Sequence, residues 1–317
     1  SYPLVLNTGR LRDQWHGMSR TGTAAQLFGH VERAQLSMHP QDMQARALED
    51  GDLVSLSSRR GTLILPVQAD AQLRPGQSFL PMHWGDRFLK GLGSNSLTLS
   101  NHDPLSKQPE LKQAAVEVTR AELPWQLFVL VEGDVQQRFA QLRELAEAFD
   151  YLSMGLIGRE RPAVLLRAAA VQAPDAALLR QLDAACGLDT PQALSLEDSA
   201  RQVSKRIVLD GQRIVALRLG GETLARDWLR KLWQDGDDIA DLRRWLLAPV
   251  ATPPGVSAAA NDKTICNCMN VSQSRICAGI EQGMQLEDLK RELGCGTQCG
   301  SCVPEIKQLL ATAAVPA

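Results

Sequence analysis

No stretch of this sequence approaches the roughly 20 consecutive apolar residues that a membrane-spanning helix needs, and no basic-then-apolar segment opens it. Charge of one sign is equally scarce. Lys and Arg number 34 against 36 Asp and Glu, a net −2, which offers nothing to a nucleic-acid backbone or an anionic membrane. Cysteines spread at disulfide-like intervals are missing as well. The seven present are clustered, which suits a reducing compartment, and the cytoplasm is the expected location. An initiating methionine is also absent, and Ser1-Tyr2-Pro3-Leu4-Val5-Leu6 reads directly as a strand, so the chain is expected to be a piece of something longer.

What is present is ordinary globular material, 44% hydrophobic and 22% charged over 317 residues. That length exceeds one usual core, and two or three domains are expected. The densest chemistry lies at the end. Cys266-Asn267-Cys268 is followed thirty residues later by Cys299-Gly300-Ser301-Cys302. Thiolates one or two residues apart reach the same metal with only a local turn of backbone, so the two pairs predict one metal site. Between them Ser272 can cap a helix carrying Ile276, Ile280 and Met284, and Leu286, Leu289 and Leu293 mark a second helix stopping at Gly294. Pro304 starts a third helix with Ile306, Leu309 and Leu310. Its positive end favours thiolates at Cys299 and Cys302. Cys277 and Cys186 read as small core residues, and Cys295 as a thiol near the site but outside the pattern.

Zinc is one reading of such pairs, with the chain then a non-catalytic zinc-binding or electron-transfer adaptor. The order Cys-x-Cys, helical spacer, Cys-Gly-x-Cys instead resembles the bacterioferritin-associated ferredoxin-like [2Fe-2S] domain, over about residues 262–317. That resemblance implies Cys266, Cys268, Cys299 and Cys302 as cluster ligands.

At the start, a short strand runs into Asn7-Thr8-Gly9-Arg10, where glycine lets backbone approach a ligand. Arg10, Arg12, Trp15, His16, Ser19, Arg20 and Thr21 then crowd donors into a dozen residues. His39-Pro40-Gln41-Asp42 begins a short helix, Leu53–Leu56 and Thr62–Leu65 read as a hairpin, Met82-His83-Trp84-Gly85 follows, and Ala114 to Val118 is strand-like. Leu-Asn-Thr-Gly-Arg with a later Trp-His, the His-Pro-x-Asp helix, Asn95-Ser96-Leu97-Thr98 and Asp103-Pro104-Leu105-Ser106-Lys107-Gln108-Pro109 together resemble the molybdopterin-dinucleotide-binding domain of molybdenum oxidoreductases. The likeness covers about 1–120 and implies a double-psi β-barrel. It further implies that Thr8, Gly9, Arg10, Trp15, His16, Ser19 and Thr21 face the pterin or dinucleotide, while Asn95, Thr98, Lys107 and Gln108 close over it. Leu111 stands where many relatives have Phe.

Residues 121–250 read as an α+β spacer or docking domain. It has a strand at Trp125–Val131, an amphipathic helix from Val135 to Phe149, a strand near Ala163–Leu166, a helix over Asp175–Ala185, and a hairpin turning at Asp210-Gly211. Ser204-Lys205-Arg206 through Gly220-Gly221-Glu222 resembles the small C-terminal module of NADH-dependent flavoprotein reductases, with Gly220-Gly221 read as a turn. Residues 251–261, overlapping the Pro- and Ala-rich run Pro249 to Ala260, are expected to be a linker.

The pairing of the two terminal domains resembles the C-terminal portion of a bacterial assimilatory nitrate reductase catalytic subunit. This implies nitrate as substrate, bis-molybdopterin guanine dinucleotide and a terminal [2Fe-2S] cluster as cofactors, and a [4Fe-4S] cluster in a missing N-terminal part. It also implies an NADH-dependent flavoprotein reductase subunit or ferredoxin/flavodoxin as donor, with the remainder of the catalytic subunit as partner. Neither the [4Fe-4S] motif nor a segment for the molybdenum ligand is present, so no catalytic residue is expected here. A formate dehydrogenase or another molybdenum oxidoreductase would share residues 1–120.

Overall fold

A computed structural model describes residues 2–14, 17–29, 31–254 and 262–313. Trp15, His16 and most of the expected linker lie outside these residues.

The first part is a closed six-stranded barrel. In chain order its elements are β1 (Leu4–Gly9), helix α1 (Ala25–Phe28), β2 (Leu36–Met38), α2 (Pro40–Gln44), β3 (Leu53–Ser57), β4 (Thr62–Ala69), β5 (Gln77–Pro81) and β6 (Ala114–Arg120). The strands close in the order β1-β5-β2-β4-β3-β6. Two neighbouring pairs, β1·β5 and β2·β4, are parallel. Alternation is clean in β1 and β3, where Leu4, Leu6, Val54 and Leu56 turn inward, as a strand with one face on a core requires. Closure removes every free strand edge.

His39 caps α2 by accepting the Gln41 N–H at 3.1 Å. Asp42, in that helix's first turn, accepts the Gly76 N–H at 2.7 Å and ties the helix to the turn before β5.

Register gathers three connections on one rim of the barrel. β1, β3 and β5 end there, and β2, β4 and β6 begin there. Connections 10–35, 58–61 and 82–113 therefore start and finish on that rim.

The middle is an antiparallel sheet of six strands: β7 (Trp125–Glu132), β8 (Tyr151–Ile157), β9 (Ala163–Ala170), β10 (Leu194–Asp198), β11 (Val203–Asp210) and β12 (Arg213–Gly221), in the order β10-β11-β12-β7-β9-β8. Helices α3 (Val135–Ala146) and α4 (Ala176–Cys186) pack on one face and α5 (Arg226–Asp235) on the other. Asp134 accepts the Gln136 and Gln137 N–H groups at 3.0 and 3.1 Å to start α3, and Asp175 accepts the Leu178 N–H at 2.7 Å to start α4. Caps of this kind contribute about 1 kcal/mol each.

Gly220 and Gly221 do not form the expected turn; they end β12. Gly221 has φ +82°, and a Cβ there would lie 2.3 Å from the Gln202 carbonyl oxygen, so only glycine can close this strand against its neighbour.

Barrel and sheet share one apolar core. Phe28 packs on Phe88 at 5.4 Å between ring centroids, and Phe88 on Phe139 of α3 at 5.8 Å. The Met154 N–H donates to the Phe88 carbonyl at 2.8 Å. Two rim connections are thereby braced by β8.

The last part is small: β13 (Thr264–Cys266), β14 (Val271–Ser272), α6 (Gln273–Glu281), α7 (Leu286–Leu293) and α8 (Val303–Ala313). Ser272 caps α6, and Gly294, at φ +70°, ends α7. Ile265, Val271, Ile276, Leu289 and Ile306 form its core together with Cys266, Cys295 and Cys302. Among the described residues no helix is long and apolar enough to cross a membrane.

Candidate functional site: a barrel rim and four thiols

The expected pterin and dinucleotide contacts among the described residues fall on the end of β1 or in the rim connections. Thr8, Thr21 and Thr98 are buried, and their hydroxyls are engaged within the fold. Thr8 donates to the Leu111 carbonyl at 2.6 Å, Thr21 to Gln14 Oε1 at 2.6 Å and Thr98 to the Asn95 carbonyl at 3.3 Å. Lys112 donates to the Thr8 carbonyl, locking the end of β1 to the start of β6. Gly9 fits under the Phe79 ring, where a Cβ would come within 2.6 Å of a ring carbon.

Arg10, Ser19, Asn95, Lys107 and Gln108 are exposed, and none of their side chains hydrogen-bonds another described residue. Such uncommitted donors, projecting from loops whose backbone is fixed, are what an anionic dinucleotide edge requires. The loop carrying Lys107 and Gln108 is held by Asp103, whose Oδ1 accepts the Leu105 N–H, the Ser106 N–H and the Ser106 hydroxyl at 3.0, 2.7 and 2.9 Å. These donors draw the Asp103 carboxyl below its usual range, the Ser106 backbone first. The residues present fit the group.

The four thiols converge in pairs. Cys268 Sγ lies 3.2 Å from Cys299 Sγ, and Cys302 hydrogen-bonds Cys266. Cys266 and Cys302 are buried, Cys268 is half-buried and Cys299 exposed. Cys302 directly precedes α8, and Gly300, at φ +72°, makes the turn that brings Cys299 back toward it. Among the described residues no three His, Cys, Asp or Glu side chains converge on a single metal position. A binuclear cluster takes two thiolates per iron, and the two thiol pairs fit that demand.

Burial, and then the hydrogen bond to Cys266, push the metal-free Cys302 thiol up to about 12. The Ser301 hydroxyl lies 3.2 Å from the Cys299 sulfur. Cys295 is fully buried and donates to the Leu289 carbonyl at 3.4 Å. Cys186 is core, as expected, while Cys277 is half-buried on α6.

Sequence reasoning missed what joins the two ends of the chain. Arg12 donates to Asp13 through Nε and Nη2 at 2.9 and 2.8 Å, to the Ile265 carbonyl at 2.9 Å and to Glu305. Asp13 Oδ2 accepts Asn267 Nδ2 at 3.3 Å, and Oδ1 accepts the Ser301 hydroxyl at 2.9 Å. From the turn between β8 and β9, Arg159 donates to the Asn267 carbonyl at 2.9 Å and to that of Cys268. The only sequence signal was a charged pair, Arg12-Asp13, just past a glycine.

Residues 4–115 match the family described as molydopterin dinucleotide binding domain, and residues 264–312 the BFD-like [2Fe-2S] binding domain. The barrel thus resembles a molybdopterin-dinucleotide-binding domain, and the terminal part a [2Fe-2S]-binding domain. Over 98% of its length the chain is 29% identical to a nitrate reductase from Klebsiella oxytoca. It spans 34% of that relative. A solved acetylene hydratase from Pelobacter acetylenicus is 20% identical, with a TM-score of 0.32 over 38% of this chain and 18% of that one.

Proposed function

We propose that this chain is part of a molybdenum oxidoreductase that reduces nitrate to nitrite, consuming two electrons and two protons and releasing water. In this reading the barrel, of double-psi type, spans 1–120 and holds molybdopterin guanine dinucleotide on its rim. Residues 121–250 brace the rim connections, 251–261 link, and 262–317 bind the [2Fe-2S] cluster, which accepts electrons one at a time. Molybdenum, when bound, supplies the oxygen-atom chemistry.

Arg10, Ser19, Asn95, Lys107 and Gln108 orient the dinucleotide, and Cys266, Cys268, Cys299 and Cys302 hold the cluster. A [4Fe-4S] cluster and the molybdenum ligand belong to the remainder of the subunit, and an NADH-dependent flavoprotein or a ferredoxin or flavodoxin donates in the cytoplasm. One observation supports the relay most directly: both cysteine pairs are fastened to connection 10–35, the run that also carries Arg10 and Ser19.

The test is iron, zinc and molybdenum content with visible and EPR spectra of the anaerobically purified protein and of Cys299→Ser. About two irons per chain and a reduced-state signal lost in the variant are expected. One zinc and no visible band would overturn the relay. In the complete enzyme, nitrate is expected to oxidise a reduced viologen dye, and formate to fail to reduce the oxidised dye.

A further inference from the structure

Asp13 belongs to the barrel, yet it holds the residue between the cysteines of each pair: Asn267 between Cys266 and Cys268, and Ser301 in the Cys299–Cys302 turn. Its side chain is only 11% exposed, so its charge acts through little water. Ser301 Oγ stands 2.9 Å from Asp13 Oδ1 and 3.2 Å from Cys299 Sγ, and a hydroxyl has one proton to give. A carboxylate localises its charge on two oxygens, while a cluster-bound thiolate shares its charge with iron, so the carboxylate is the stronger acceptor.

We propose that Asp13 is a positioning residue for the terminal cluster: it withdraws the Ser301 hydroxyl from Cys299 and, with its own charge, holds the cluster's reduction potential down. This rests on the [2Fe-2S] reading of the four thiols. Hydrogen bonds to cluster sulfurs and net charge nearby are established determinants of such potentials, donors raising them and negative charge lowering them. Arg12, bound to Asp13, Glu305 and the Ile265 carbonyl, keeps the carboxylate in place. A low potential at the docked cluster makes onward transfer toward the pterin rim more favourable.

The experiment is an EPR-monitored redox titration of the anaerobically purified chain, with iron counted in every sample, on wild type, Asp13→Ala, Ser301→Ala and the double variant. Asp13→Ala is expected to shift the one-electron equilibrium toward the reduced cluster about tenfold, ~59 mV upward. Ser301→Ala alone is expected to leave the midpoint near wild type, and the double variant to fall between wild type and Asp13→Ala. An unmoved midpoint in an iron-replete Asp13→Ala protein overturns the proposal. A clear drop in Ser301→Ala overturns the proton assignment, because the hydroxyl would then have been serving Cys299. Should Asp13→Ala lose its iron, Asp13→Asn, which loses the charge but keeps an acceptor for Ser301, takes its place with a smaller upward shift expected and the same unmoved midpoint as the contrary result. Wild type without two irons would instead remove the cluster reading, a failure distinguishable from the others.

Discussion

Arg218 of β12 grips Asp183 of α4 through Nε and Nη2, at 2.6 and 3.0 Å, with the two side chains 1% and 5% exposed. Nη1 and Nη2 also reach the Ser204 carbonyl and hydroxyl at 3.0 and 2.9 Å. The guanidinium is thus paired and hydrogen-bonded on every side that faces protein. Removing Asp183 leaves Arg218 as an uncompensated buried charge, whereas Asp183 also meets Arg206 at 3.4 Å. Asp183→Asn is expected to cost about 3–5 kcal/mol in urea unfolding, while Asp183→Asn with Arg218→Met costs less than either single change. Additive losses would show that the pair is not coupled.

Glu32 ties three elements together. It lies in the rim connection before β2 and meets Arg167 of β9 at 2.8 Å and Arg230 of α5. Burial alone would raise its carboxyl, but Arg167 and then Arg230 more than offset that, and the group is held below its usual range. A depressed folded value contributes stability that is complete above the unfolded carboxylate range, near 4.3, and is lost as pH falls through the folded value. Glu32→Gln is therefore expected to be less stable than wild type by about 1–2 kcal/mol at pH 7, given its partial exposure. The gap should begin to close below about 4.3 and vanish once pH has fallen through the lower folded value. A gap unchanged by acid would show that the carboxylate charge is not what Glu32 contributes.

The cysteines should separate by iron content. Cys266→Ser and Cys302→Ser are expected to lose the cluster, and with it the stability of residues 262–313, whose apolar core is too small to stand alone. Cys295→Ala, which removes a buried thiol donating to Leu289, is expected to retain iron at a cost of about 1–2 kcal/mol. Because the metal-free Cys302 thiol sits near 12, iron must displace a tightly held proton. Reconstitution is therefore expected to be more complete at pH 8.5 than at pH 7. Iron loss from Cys295→Ala would make it a ligand.

Where local chemistry determines structure, the sequence was readable. Ser272, Asp134 and Asp175 cap the expected helices, Gly294 stops α7, and the β3–β4 and β11–β12 hairpins fall where their turn residues stand. β8 passed unseen because Tyr151–Ile157 is buried on both faces, which erases the alternation that marks a half-exposed strand. β2 and β5 are too short and mixed to stand out. The expected dinucleotide donors gather on one rim, yet the hydroxyls of Thr8, Thr21 and Thr98 turn inward, a choice set by neighbours such as Leu111 and Gln14. Asp13 offered the pattern only its charge beside Arg12, for its meaning lies in Ser301, 288 positions away.

Arg12 and Glu305 meet across 293 positions of chain. During synthesis Arg12 therefore emerges long before its partner exists. The last strand of the barrel, β6, ends at Arg120, so the barrel's strands are also all made well ahead of Glu305. The tie between the rim and the last helix is thus among the last contacts this stretch of chain can make.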